Sequence, residues 1–339
     1  MQEVRGSSPR ISTRIIMSEL NISSGGVNHP VLDLIDQRVA EGSRPGQRSD
    51  NRILAIAIEG GGMSAAFSAG MCAAYEQLGL LDLTVDRIYG SSAGSLNGSY
   101  TAMGQAAIGA QNYVDTANFN FFNPGRLLLG RSVINFDFLF NKIIAKKRPY
   151  DLIKLNSGVE FKAIGVDLDT KSLELMSGFE SEDEVMQAVR ASCAIPLVGG
   201  REAVDFRGKH IADGGLLQSM PYQAAFDDGA TDVLVFRSKP ASYRKTGYHR
   251  AVVETAKRYS LHPSVPDLLE HRPERYNSDA EYLQVATRSD SKLLQIAPPE
   301  DCSRVSQLEV STKKVEQALA VGAESVKAVL SGRICAEIA

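Results

Sequence analysis

Six consecutive apolar residues, Ile53-Leu54-Ala55-Ile56-Ala57-Ile58, run almost directly into three glycines, Gly60-Gly61-Gly62. A strand-length run without polar alternation fits a strand buried on both faces, as in a parallel sheet covered by helices. A helical pattern over Ala65 to Leu78 follows, with Gly79 placed to end it. The arrangement then repeats. A β-leaning run, Val85 to Tyr89, enters the turn Gly90-Ser91-Ser92-Ala93-Gly94, and the small residues from Ala93 to Gly104 can pack as a helix. Two strand-turn-helix units in tandem predict an α/β fold.

The second turn has the form Gly-x-Ser-x-Gly. A serine on a tight strand-to-helix turn has its hydroxyl lifted clear of the backbone, and Gly90 and Gly94 flank it where a Cβ would clash. The helix that follows points its N–H groups back at the turn, where they stabilise negative charge. In a chain with 29 glycines the pentapeptide alone is equally consistent with an idle serine in a glycine-rich turn. Gly60-Gly61-Gly62 adds weight: backbone N–H groups between a strand and a helix form an anion cradle. A dinucleotide site is excluded, because Ala65 stands where G-x-G-x-x-G needs its third glycine, and no Gly-Lys-Ser/Thr follows. An oxyanion hole for acyl transfer remains, beside a glycine turn kept for packing alone. Asp213-Gly214-Gly215 is the third element, a carboxylate before two glycines at a loop tip. Standing alone it would read as an Asx-type turn.

Composition bounds the rest. With 339 residues, 43% of them hydrophobic, the chain is long enough for a large core. The net charge of -3 gives no sign of nucleic-acid binding. Cys72, Cys193, Cys302 and Cys335 are scattered, which suits a reducing compartment and no zinc site. No HExxH, cysteine cluster or EF-hand loop is present, so neither metal nor cofactor is expected. The chain lacks a run of 18 apolar residues and the pattern of a signal peptide, which makes a cytoplasmic protein the default.

Residues 1–28 read as a disordered polar leader, with Met17 an alternative start. Residues 29–339 read as one domain, with the motif-bearing core over about 53–236. His29 to Ala40 has helical spacing. Val159 to Leu168 reads as a strand. Ser181 opens a capping-box helix to Ser192, and Arg207-Gly208 turns a hairpin. Pro221 starts a helix to Asp228, Asp232–Phe236 is a buried strand, and helices dominate from Tyr248 to Thr287. Lys292–Ile296 is a last strand before a closing helix or helix pair over Val305 to Leu330. Between them, residues 112–150 mix Phe119, Phe121, Phe122, Leu127–Leu129, Phe136, Phe138, Leu139 and Phe140 with Arg126, Arg131, Lys142, Lys146, Lys147 and Arg148. This is either an ordinary helical layer or a greasy, basic-rimmed cap that receives lipid chains and faces a membrane surface.

With Gly60–Gly62, Gly90-Ser91-Ser92-Ala93-Gly94 and Asp213-Gly214-Gly215 in this order, the sequence resembles the patatin-like phospholipase family. Ala191-Ser192-Cys193-Ala194-Ile195-Pro196 and Pro221 support the likeness, which spans roughly Ile53 to Phe236. The resemblance implies a three-layer α/β/α fold with a mostly parallel sheet. It also implies a serine carboxylic ester hydrolase acting on phospholipids or other acyl lipids through a Ser–Asp dyad. Ser92 would be the nucleophile, Asp213 the general base, and Gly60, Gly61 and Gly62 the oxyanion hole. Family members often carry Arg or Lys followed by Gly where this chain has Ser64 and Ala65, which leaves the headgroup preference open. Two rival readings stand beside the dyad. A Ser-His-Asp esterase would draw on His249, His262 or His271, all of which follow Asp213. A catalytically inactive lipid-binding or scaffold module would keep the fold without the chemistry.

Overall fold

The computed structural model of the chain describes residues 29–129, 132–197, 202–247, 250–260, 262–288 and 291–334. The leader expected over 1–28, and His249, lie outside them. Eight strands form one sheet among the described residues: β1 (Leu54–Ile58), β2 (Arg87–Ser91), β3 (Glu160–Asp167), β4 (Ser172–Met176), β5 (Val204–Phe206), β6 (Lys209–Asp213), β7 (Asp232–Phe236) and β8 (Leu293–Ile296). From β3 through β2, β1 and β7 to β8 the pairing is parallel, whereas β4, β5 and β6 pair antiparallel at the β3 side.

Alternation along β1 builds the layers. Leu54, Ile56 and Ile58 pack on one face with α1 (Pro30–Ala40), α2 (Ala66–Gln77) and the long α8 (Thr312–Ile334). Ala55 and Ala57 pack on the other with α6 (Tyr222–Asp227) and α7 (Arg272–Ala286). The fold is therefore a three-layer α/β/α sandwich with a mostly parallel sheet. All five β1 residues are buried, as a continuous apolar run requires. Removing each of the Leu54, Ile56 and Ile58 side chains from water contributes about 1.5–3 kcal/mol.

The opposite end of the sheet is closed by charge. Arg38 of α1, fully buried, donates to Asp50 at 2.7 Å, Asp86 at 2.7 Å and Thr84 O at 2.6 Å. Asp86 also accepts the N–H of Leu54 at 2.8 Å. The Asp86 backbone still bonds to both neighbours, donating to Leu54 O at 2.9 Å and accepting the Glu160 N–H at 3.1 Å, and β2 runs from Arg87 rather than from Val85. The strand continues to Ser91 because Gly90 still pairs with Ile58, and Ser91 with Ile164.

Two further expectations shift. The closing helix starts at Thr312, not Val305. The residues before it lie over the glycine loop, where Gln307 O accepts the Met63 N–H at 3.0 Å. Residues 112–150 are not an ordinary helical layer. After α4 (Ala106–Thr116) they form a short 3-10 turn, Pro124–Leu129, and a π-helix, Phe138–Ile144. The strand β4 and the helix Leu152–Ser157 have no counterpart in the sequence reading.

Candidate active site

Each parallel strand ends at the same edge of the sheet, and the glycine turns sit there. Ser92 follows β2 directly and precedes α3 (Ala93–Ala102). Its backbone is at φ 54, ψ -128, a region that side-chain-bearing residues rarely occupy and that costs of order 1–3 kcal/mol. The surroundings enforce it. Gly94 lies so close to β1 that a Cβ there would stand 2.3 Å from Ile58 O. The Ser92 N–H donates to Ser192 Oγ at 2.9 Å, and Ser192 donates onward to Ile164 O at 2.5 Å. Ser192 closes α5 (Glu182–Ser192), whose start is capped by the Ser181 side chain on the Glu184 N–H.

The sheet itself brings the carboxylate to the serine. β3 has β4 along one edge. Its other edge is taken by β2 up to the Ser91–Ile164 pair, and then by β6, whose Asp213 pairs with Gly165. β2 and β6 thus arrive from opposite directions at adjacent positions of one strand. Ser92 Oγ donates to Asp213 Oδ2 at 2.6 Å across 121 residues of sequence. The other carboxylate oxygen accepts the Gly215 N–H at 2.7 Å. Gly214 opens the 3-10 turn that lets Gly215 reach back. Asp213 is buried, and burial pushes its carboxyl pKa above the ordinary 3.8, against the opposing pull of Arg272 and the hydrogen bond from Ser92.

The glycine loop divides its labour. The Gly60 N–H donates to Ser219 O at 3.0 Å, so the first of the three glycines is not free to hold an oxyanion. The N–H groups of Gly61 and Gly62 have no acceptor among the described residues, and both glycines line the cavity that Ser92 opens into. Gly62 sits at φ +56, where a Cβ would also meet Gln307 O at 2.6 Å. Ser64, in the position of the family's cation, donates to Gly61 O at 2.8 Å and closes the loop.

Glu59, just before the loop, was not singled out from sequence. Its carboxylate accepts from Arg237 Nε at 2.9 Å, Ser238 N at 2.7 Å and Tyr276 Oη at 2.6 Å. All of these are buried, which ties the loop base to β7 and α7. A glutamate after an apolar run and an arginine after Phe236 are the only sequence signals. Ser192 entered the sequence reading as part of a resemblance, without a role.

The histidines are elsewhere. His210 and His262 both meet Asp169, at 2.9 Å and 3.1 Å, on the protein surface. His271 meets Asp267 O at 3.0 Å, and His29 accepts the Val31 N–H at the start of α1. None of these four hydrogen-bonds Ser92 or Asp213. No group of metal-ligating side chains occurs among the described residues.

Beyond Ser92 lies a cavity of about 200 Å³. Its walls include Leu96 of α3, Tyr113 of α4, and Phe121, Ile134, Phe136 and Leu139 from the irregular segment that follows. A serine hydrogen-bonded to a buried carboxylate, two open backbone donors and an apolar cavity meet at one point.

Solved structures that resemble the chain include VipD from Legionella pneumophila, with 14% identity, a TM-score of 0.42, and coverage of 84% of this chain and 67% of that one. Human GIVD cytosolic phospholipase A2, in complex with a methyl gamma-linolenyl fluorophosphonate inhibitor and terbium chloride, matches at 11% identity and a TM-score of 0.44. That match covers 96% of this chain and 63% of the human one, so the chain spans less than two thirds of the human protein's length. No curated protein sequence matches the chain. Residues 56–226 match the family described as patatin-like phospholipase, a span that takes in Gly60–Gly62, Ser92 and Asp213. With half of the chain matched and all three motifs inside that span, the chain belongs to the patatin-like phospholipase family.

Proposed function

We propose that the protein is a lipid acyl hydrolase that cleaves carboxylic esters through a Ser92–Asp213 dyad and an acyl-serine intermediate, with residues 29–339 acting as one hydrolase domain. Family membership supports lipid ester hydrolysis in general. The observation that carries the dyad is the 2.6 Å hydrogen bond from Ser92 Oγ to Asp213 at the mouth of the apolar cavity.

The steps follow from the geometry. Ser92 Oγ attacks the ester carbon while its proton passes to Asp213. A carboxylate is a weak base, but here it is in contact with the proton it takes, and burial raises its basicity. The carbonyl oxygen becomes an oxyanion within reach of the Gly61 and Gly62 N–H groups. One such donor is worth roughly 10²–10³ in kcat. On collapse, the C–O bond to the alcohol breaks, and Asp213 returns the proton to the leaving oxygen. Water then gives a proton to Asp213 and attacks the acyl-serine. The fatty acid leaves, and Ser92 Oγ recovers its proton.

The acyl chain occupies the apolar cavity. Exposed Phe119 and Leu129 lie on the segment that walls it, and support peripheral contact with a lipid surface. No helix among the described residues is long and apolar enough to cross a membrane. The unpaired thiols of Cys72, Cys193 and Cys302 support a cytoplasmic setting.

A hydrolysis screen across lipid classes, run on wild type and Ser92→Ala, tests the reading. Release of fatty acid by wild type alone is expected, together with fluorophosphonate labelling at Ser92. A folded wild-type protein that neither hydrolyses nor labels would favour an inactive lipid-binding module.

A further inference from the structure

The glycine loop is held at both ends, and one chain of hydrogen bonds joins the two holds. At the entrance, Ser238, which follows β7, donates through Oγ to Glu59 O at 2.9 Å and through its N–H to the Glu59 carboxylate at 2.7 Å. At the exit, Asn97 of α3 donates through Nδ2 to Ala65 O at 3.0 Å. Ser68 of α2 connects them: its Oγ stands 3.0 Å from Ser238 Oγ and 3.0 Å from Asn97 Nδ2. Asn97 Oδ1 in turn accepts from Tyr113 Oη at 2.9 Å, and Tyr113 is a residue of α4 that lines the acyl cavity. Ser238, Ser68, Asn97 and Tyr113 are all buried.

Counting protons fixes the direction of the chain. Ala65 O and Glu59 O can only accept. Asn97 therefore turns its NH2 towards Ala65, and its two N–H groups serve Ala65 O and Ser68 Oγ. That leaves Oδ1 facing Tyr113, whose hydroxyl donates. The one proton of Ser238 Oγ goes to Glu59 O, so Ser68 donates to Ser238. The bonds run one way, from Tyr113 through Asn97, Ser68 and Ser238 to Glu59. A buried network satisfied at each member is rigid, and removing one member strands its neighbours.

This rigidity acts on the two halves of the site. Asn97 lies on the helix that Ser92 opens, and Ala65 ends the 3-10 turn that starts at Gly62. One amide thus ties the helix of the proposed nucleophile to the loop whose Gly61 and Gly62 N–H groups are open. We propose that Asn97 is a positioning residue for ester hydrolysis: it registers the oxyanion donors of the loop against Ser92, and Tyr113, from the cavity wall, fixes the amide that does so. The proposal rests on the hydrolase reading of Ser92 and adds what sets the geometry between its parts. Asn97 touches no reacting atom, so its loss acts on kcat. A group displaced by about 1 Å can cost about 10²-fold in rate, while the cavity that binds the acyl chain keeps its shape.

Two variants test this. Asn97→Asp keeps the size of the side chain and the acceptor for Tyr113, and turns both donors into acceptors. Tyr113→Phe removes one hydroxyl and keeps the ring. On p-nitrophenyl butanoate, kcat is expected to fall about 10²-fold in Asn97→Asp and about tenfold in Tyr113→Phe, with KM within about twofold of wild type. Amide hydrogen exchange followed by mass spectrometry reads the loop without turnover. Exchange over residues 60–68 should quicken about tenfold in both variants, while β1, β2 and β7 keep their wild-type rates. Should Asn97→Asp fail to fold, Tyr113→Phe carries both readouts. Wild-type kcat in a folded variant, or unchanged exchange over residues 60–68, overturns the assignment. Exchange that quickens equally across the sheet makes the network a matter of general stability and overturns it too. If wild type cleaves no ester, the hydrolase reading fails, and exchange alone decides whether Asn97 holds the loop.

Discussion

Ser192 Oγ accepts the N–H of Ser92 at 2.9 Å, so the backbone of the proposed nucleophile is held by a side chain 100 residues further along. The hydroxyl is fixed in turn by Ile164 O at 2.5 Å, on the strand that also pairs with Ser91. In the proposed dyad Ser192 touches no reacting atom; it positions Ser92. Ser192→Ala leaves a buried N–H without a partner, at about 1–3 kcal/mol. The expected result is a fall of about tenfold in kcat with KM nearly unchanged, and recovery in Ser192→Thr. Steady-state kinetics on a soluble short-chain ester measure the split.

The two open N–H groups of Gly61 and Gly62 give a second expectation. Gly62→Ala introduces a Cβ at φ +56 and 2.6 Å from Gln307 O, so the loop must shift. Losing one oxyanion donor costs about 10²–10³ in kcat. Binding of a non-hydrolysable alkyl analogue should change far less, since the donors act on charge that exists only in the transition state. Unchanged kcat in folded Gly62→Ala would make the loop structural.

Much of this architecture is legible in the sequence, for identifiable reasons. β1 is read from an apolar run with no alternation, β7 from Asp232–Phe236, and the hairpin from Arg207-Gly208, both of which adopt positive φ. The serine and aspartate are visible because glycines bracket them. The meeting of β2 and β6 on one edge of β3 is not visible, since register between strands so distant in sequence leaves no local pattern. The irregular walls of the cavity were hidden for a related reason. Phe121, Ile134, Phe136 and Leu139 follow no single helical period, because Phe121 and Ile134 lie at an isolated bridge, Phe122 to Ile134, and Leu139 lies in a π-helix. Glu59 and Ser192 are common residue types whose importance comes only from what they touch.

The cavity makes chain length testable. Leu139 projects from the π-helix into its wall. Leu139→Trp should fill part of the space and shift preference towards shorter acyl esters, with the kcat/KM ratio of hexadecanoyl to butanoyl p-nitrophenyl esters falling by about tenfold. A large-to-small change, Leu139→Ala, should not shift preference in that direction. Its cost in stability is about 2–5 kcal/mol.

Burial of Asp213 links activity to stability. Its carboxyl pKa is raised in the fold, so folding favours the protonated form. The associated stability is present below the unfolded pKa and lost as pH rises through the higher folded value. At neutral pH the ionised group therefore opposes folding, and neutral Asp213→Asn should melt at a higher temperature than wild type. The difference should shrink as the medium is acidified. Melting curves for the two proteins across pH 4 to 8 follow that trend directly.

The dyad itself is tested most directly by turnover in Asp213→Asn beside a set of histidine variants. Asparagine keeps the shape of the side chain and removes the base, so hydrolysis of a soluble ester should vanish as completely as in Ser92→Ala. Wild type should lose activity on acidification along a limb that lies above the ordinary carboxylate value of 3.8, because burial raises the base. His210→Gln, His249→Gln, His262→Gln and His271→Gln should each retain substantial turnover. A folded histidine variant as inactive as Ser92→Ala, or an Asp213→Asn protein with wild-type turnover, would contradict the account.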